Sequence, residues 1–282
     1  MHDAVELLSP SARIAYERGE LADLVYADDT LLIGASAPHL SEFLLAVSRA
    51  GETLGMELHW DKFQLLGVQC SLAITNPSGQ LLPTTTKLQY LGAAISEDGL
   101  CDNELSRRIG IAKGQFLALV RLWKHSALSL RRRLHFYSAL VESRLLYGLV
   151  SVCLKVAQAR RLDGFQNRCL RTILGVKPSF ISRISNAEVL RRAGLATASK
   201  CVLRRQMVFF GKVIRSACDG PLQTVCLIPG TLRPATERYV RRVGRPRKEW
   251  IPTLLETSIS RFGSLQRVEA LAANGDSWRR NL

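Results

Sequence analysis

The apolar residues of this sequence change period near residue 100, and that change limits the folds open to it. Upstream, short apolar runs lie between turn residues, the pattern of strands, with one helix among them. Downstream, apolar residues recur every three to four positions along successive long segments, and strand patterns largely vanish. A chain divided in this way belongs to the α+β class: a small antiparallel sheet with one helix in the first third, then a mostly helical bundle. With 282 residues there is ample chain for a core, in one large domain or two small ones.

Charge divides at the same place. Residues 1–100 contain 5 Lys/Arg and 13 Asp/Glu, and residues 101–282 contain 34 and 11, so a segment of net −8 is joined to one of net +23. The basic part has the footprint of a phosphate-backbone binder. Arg far outnumbers Lys in it, and the guanidinium fork suits phosphate oxygens. A solvated basic surface is the plain alternative. No run of about 18 uncharged apolar residues occurs, so no membrane-spanning helix is expected. The start of the chain, Met1-His2-Asp3-Ala4-Val5-Glu6, carries no basic-then-apolar leader, and an intracellular location in cytoplasm or nucleus is expected. The seven cysteines (Cys70, Cys101, Cys153, Cys169, Cys201, Cys218 and Cys226) are odd in number and form no Cys-x-x-Cys. Most read as small core residues in a reducing compartment, and the set supports neither a disulfide framework nor a zinc site.

The first third is built around Leu24-Val25-Tyr26-Ala27-Asp28-Asp29-Thr30-Leu31-Leu32-Ile33. Two apolar runs flank adjacent carboxylates, which predicts a hairpin over 21–34 with the acidic pair as its tight turn. Two neighbouring ionised side chains repel, so presenting both at one point favours a divalent cation. Oxygen donors suit Mg²⁺ (or Mn²⁺), which takes one or two carboxylates and leaves other positions to water and phosphates. Such a hairpin is one part of a two-metal nucleotidyl-transfer site; an ordinary solvated hairpin is the competing reading. The spacing of Leu40, Phe43, Leu44, Val47 and Leu54 predicts a helix over 38–55. Strands are predicted at 56–60 and 63–68, a loop at 75–86, a strand over 87–95 and a turn over 96–99.

Helices are predicted at 102–123, 130–149, 154–175, 186–193 and 197–217. The first presents Arg107, Arg108 and Lys113 opposite its apolar stripe, and the second opens with Arg131, Arg132 and Arg133. Cations at a helix start oppose its dipole, a weak hint of an external anion. Residues 218–282 read as less helical, with one short helix from Trp250 to Phe262. Their densest basic run is Arg241-Arg242-Val243-Gly244-Arg245-Pro246-Arg247-Lys248. Such flat Gly-Arg-Pro backbones can place guanidinium groups in a narrow minor groove, in the manner of an AT-hook. The divisions are thus 1–100, 101–217 and 218–282.

Several of these segments, in this order, resemble the reverse transcriptases of non-LTR (LINE-type) retrotransposons. Tyr26-Ala27-Asp28-Asp29 looks like the catalytic turn. His59-Trp60-Asp61-Lys62-Phe63 is similar to the family's Asn-x-x-Lys-Thr segment in its lysine only. Tyr90-Leu91-Gly92 resembles the primer-grip strand, and Asp98-Gly99 and Arg108-Ile109 resemble the turn and helix that succeed it in the family. Leu146-Tyr147-Gly148, Leu170-Arg171-Thr172-Ile173-Leu174-Gly175 and Ser185-Asn186-Ala187-Glu188-Val189 resemble successive thumb elements, and Gly244-Arg245-Pro246-Arg247 with Trp250 matches runs near the family's C-terminal end.

The resemblance spans about residues 21–250. It implies half of a palm sheet followed by a thumb and C-terminal region. It implies Asp28 and Asp29 as catalytic metal ligands, Lys62 beside the incoming triphosphate, and Tyr90, Leu91 and Gly92 positioning the primer end. Arg107, Arg108, Lys113, Arg131, Arg132, Arg133, Arg241, Arg242, Arg245, Arg247 and Lys248 would lie against nucleic acid. The implied partners are an RNA template, a DNA primer or duplex, and dNTP. The family's third metal-binding aspartate lies upstream of the hairpin; here only Asp3 and Asp23 precede it. The expectation is therefore a truncated RNA-directed DNA polymerase, with weak metal binding and no synthesis alone. The alternative is a non-catalytic basic helical module that binds nucleic acid. A partial sheet exposes unpaired edges, so residues 1–70 are expected to be less protected than the helices over 102–217.

Overall fold

The computed structural model describes every residue except Gln69, Ser71, Leu100, Lys124, Ser126, Asp219 and residues 237–247. Its class is α+β, with two small antiparallel hairpins in the first part and a mostly helical remainder. The chain forms two compact units, Met1–Asn103 and Glu104–Leu282.

In the first unit, α1 (His2–Glu6) and α2 (Pro10–Glu17) precede the hairpin of β1 (Leu21–Tyr26) and β2 (Asp29–Gly34), and α3 (Ala37–Glu52) comes next. Ser9 caps α2, accepting from the Ala12 amide at 3.3 Å, and Pro10 takes the first position, where its missing N–H costs nothing. Side chains alternate across the hairpin, so Leu21 and Leu32 turn toward a core with Phe43 and Leu44 of α3. The same core collects Leu8, Ala12, Leu65, Ile74 and Leu82.

The expected strands at 56–60 and 63–68 are not formed. Among the described residues no neighbouring strand satisfies their backbone, and an isolated Leu65–Thr84 bridge ties the segment. Residues Trp60–Lys62 make a 3₁₀ turn, and Trp60 stacks on Phe63 with centroids 5.1 Å apart. The single strand expected over 87–95 is a second hairpin: β3 (Lys87–Tyr90) and β4 (Ala93–Ser96) reverse at Leu91-Gly92. Both loop residues have positive φ, 47° and 74°, as a two-residue type I′ hairpin requires.

The second unit opens with α4 (Asp102–Ala118), whose first two residues belong to the preceding unit, and continues with α5 (Val120–Trp123) and α6 (Leu130–Phe136). A π-helical turn, Tyr137–Glu142, leads into α7 (Ser143–Leu146), so the helix expected over 130–149 is wound unevenly. Then come α8 (Val156–Leu174), α9 (Ser179–Ser182), α10 (Asn186–Ala193) and α11 (Ala198–Arg215). Leu105, Trp123, Tyr137, Leu145, Leu162, Leu170 and Val189 fill one continuous core.

Beyond α11 the chain is more helical than its sequence suggested. α12 (Pro221–Cys226), α13 (Trp250–Phe262), α14 (Leu265–Ala272) and α15 (Gly275–Asn281) build a second core on the distal half of α11. Met207, Phe210 and Val213 meet Leu254, Val268 and Trp278 there, and Trp278 Nε1 donates to the Met207 carbonyl at 2.7 Å. Among the described residues no helix is long and apolar enough to cross a membrane. Of the seven cysteines only Cys169 is buried, and burial pushes its thiol up to about 12; Cys70 and Cys218 are exposed, contrary to the reading of most as core residues.

Candidate nucleic-acid interface

The acidic tip is set one residue differently from expectation. Tyr26 pairs with Asp29, so the two-residue loop is Ala27-Asp28 and Asp29 already belongs to β2. Ala27 carries φ 54°, a conformation that glycine adopts freely and a Cβ residue resists. Both carboxylates stand in solvent. Strand alternation puts Asp29 on the face of Tyr26 and Leu24, away from the core. Asp23 lies on the opposite face. There it accepts from the Tyr16 hydroxyl at 2.7 Å, and this hydrogen bond, with burial, pushes the Tyr16 phenol up to about 12.

A two-metal centre needs carboxylates converging from one side. Asp28 and Asp29 are oxygen donors of the right kind for Mg²⁺. Asp23 is turned away, and among the described residues no group of three or more His, Cys, Asp or Glu side chains could hold an ion.

Tyr90 is brought to the hairpin: its hydroxyl donates to the Leu24 carbonyl at 2.9 Å, tying the second hairpin to the strand that leads to the acidic tip. Leu91 and Gly92 form the reversal beside it. Lys62 is exposed on its 3₁₀ turn, and no ion pair joins it to Asp28 or Asp29.

The expected basic contacts divide by burial. Arg108 is 6% exposed; its guanidinium is paired with Glu104 and lies 4.5 Å from the centroid of the Tyr147 ring. Arg107 shares Glu104 at 2.9 Å. Arg133 donates to the Trp123 carbonyl at 2.8 Å and the Ile173 carbonyl at 3.1 Å. Arg108 is thus buried against Glu104 and Tyr147, and half-buried Arg133 spends part of its guanidinium on two backbone carbonyls. Lys113, Arg131, Arg132 and Lys248 are exposed. Arg241, Arg242, Arg245 and Arg247 lie outside the described residues.

Other exposed cations escaped the sequence reading. α8 presents Arg160, Arg161 and Arg168, and α11 presents Lys200, Arg204, Arg205 and Lys212. Their signal was spacing: Arg161 and Arg168 are seven apart, as are Arg205 and Lys212, and Lys200 and Arg204 are four apart. Each set falls on the solvent side of a helix whose other side fills the core.

The thumb-like motifs are structural where they can be followed. Buried Arg171 donates to the carbonyls of Lys177 (2.9 Å) and Ile184 (2.7 Å) and to Asn186 Oδ1 (2.9 Å). Gly175 ends α8 at φ 67°, and the Ser185 hydroxyl caps α10 by accepting from the Glu188 amide at 3.2 Å. Comparison of the chain with protein-family models, with curated proteins and with solved structures gave no match.

Proposed function

We propose that these 282 residues correspond to the second half of a non-LTR retrotransposon reverse-transcriptase palm joined to its thumb and C-terminal region. The activity proposed for this segment on its own is nucleic-acid binding. One observation carries the reading: Tyr26-Ala27-Asp28-Asp29 sits at the tip of a two-residue hairpin with both carboxylates in solvent. The Leu91-Gly92 reversal, and the ends of α7 and α8 at Leu146-Tyr147-Gly148 and Leu170-Arg171-Thr172-Ile173-Leu174-Gly175, come after it in the order of the segments that resemble the family.

In this reading Asp28 and Asp29 would hold Mg²⁺ or Mn²⁺ only together with carboxylate from outside these residues. Such a metal would supply charge neutralisation for phosphoryl transfer from dNTP. The helical unit acts as the thumb, gripping an RNA template and DNA primer through the solvent-facing cations of α6, α8 and α11. That grip needs no chemistry and supports the alternative role as a non-catalytic binding module.

A primer-extension assay on the purified chain with Mg²⁺ and with Mn²⁺ tests the proposal. No template-directed product is expected from the chain alone, while the primed template is bound. Robust extension, or absence of any binding, overturns it.

A further inference from the structure

Phe180 is 76% exposed, the most of any large apolar side chain among the described residues, and Ile181 beside it is 54% exposed. Both lie on the short turn α9, within the loop that joins α8 to α10. Apolar groups on a loose loop would fold back; this loop is braced. The buried Arg171 guanidinium clasps its two ends through the Lys177 and Ile184 carbonyls. The Ser182 hydroxyl donates to the Lys177 carbonyl at 3.0 Å and accepts from the Ile184 amide at 3.3 Å. Arg183 closes the turn at φ 57°, a strained value for a side chain with Cβ. The ring is thereby displayed in solvent on a hydrogen-bonded mount.

Charge complementarity selects the occupant. Exposed Lys177 and Arg183 stand three residues before and three residues after Phe180 in the chain. From residue 168 to 192 there are six Lys/Arg and one acid, Glu188. That acid is already engaged by Arg191 (2.6 Å) and Arg192 (2.8 Å). An exposed aromatic ring on a basic, acid-poor loop fits a strand whose bases are free to stack and whose backbone is anionic.

We infer that the α9 loop is a stacking platform for an unpaired base of single-stranded nucleic acid: Phe180 takes the base, and Lys177 and Arg183 take the flanking phosphates. The inference rests on the proposed nucleic-acid binding and adds to it a site and a preference for single strands.

Fluorescence anisotropy with labelled oligo(dT), oligo(rU) and a blunt DNA duplex tests it on the full chain. Phe180→Ala should weaken single-strand binding about 5- to 150-fold, the range for loss of one base–aromatic stack, with duplex binding and thermal midpoint unchanged. Phe180→Trp should keep single-strand affinity and show indole quenching on oligonucleotide addition. Lys177→Gln with Arg183→Gln should weaken binding and flatten its salt dependence. If Phe180→Ala binds single strands as tightly as the parent chain, the platform is refuted while nucleic-acid binding stands. If the parent chain binds none of the three probes, the proposed function itself fails. A concentration-dependent dimer abolished by Phe180→Ala, with oligonucleotide affinity intact, would assign the ring to a second copy and likewise refute the platform.

Discussion

A Cβ added to Gly211 would stand 2.4 Å from Nε1 of Trp278. α11 therefore carries glycine where the indole, donating to the Met207 carbonyl one turn back, packs close against the helix. Gly211→Ala should destabilise the chain by about 1–3 kcal/mol through overpacking. The same change at Gly110, in α4, meets nothing within 4 Å and should stabilise by about 0.5–1 kcal/mol from helix propensity alone. Urea denaturation of the two variants checks the opposite signs.

Arg171 holds three acceptors in a buried site. Arg171→Ala removes all three bonds, leaving the Lys177 carbonyl only the Ser182 hydroxyl, and should cost about 1–3 kcal/mol. Arg171→Lys offers a point charge for a planar fork and should recover only part of that. Hydrogen exchange should localise the loosening to residues 176–186 in both variants.

Glu142 ends the π-helical turn, where burial raises its carboxyl above the ordinary value of 4.5, against opposing pulls from Ser138 and Arg205. Tyr137 and Cys201 are the other titratable groups coupled to it. An acid raised by folding is held protonated more tightly in the fold than in the unfolded chain. Its contribution is present below the unfolded value and is lost as pH rises through the folded one. Glu142→Gln should therefore stabilise more at about pH 8 than at about pH 5. Urea midpoints of parent and variant at the two pH values check the sign; an equal gap would contradict it.

Asp28 and Asp29 take no part in the core. Changing both to Asn should alter stability by less than about 0.5 kcal/mol, as for exposed positions generally. Nucleic-acid affinity should persist or strengthen, because negative charge is removed. Thermal melts and anisotropy on one preparation check both statements.

The hairpin and the long helices were legible because their apolar residues keep one period. The Asp28-Asp29 pair marked the reversal, but not which acid would enter the strand: the turn takes Ala27 at positive φ, which composition does not advertise. The reversal at Leu91-Gly92 was hidden in the same way, since Leu is a poor sign of positive φ. Residues 56–60 and 63–68 alternate like strands, yet among the described residues they gain no more than the isolated Leu65–Thr84 bridge, a fact of tertiary neighbourhood. Arginine was the least legible residue. Sequence gives its charge but not whether it meets solvent or carbonyls, and Arg108, Arg133 and Arg171 turned inward. The Glu104–Arg108 spacing of four was the one local sign of this.

The proposed grip of the helical unit on a nucleic-acid backbone is tested most directly by the affinity of the whole chain for a labelled primer–template across a series of salt concentrations. The logarithm of affinity should fall linearly with the logarithm of salt, with a slope reflecting several phosphate contacts. Converting Arg131, Arg132, Arg204 and Arg205 to Gln should make that slope shallower. No binding at low salt, or an affinity indifferent to salt and to those four charges, would contradict it.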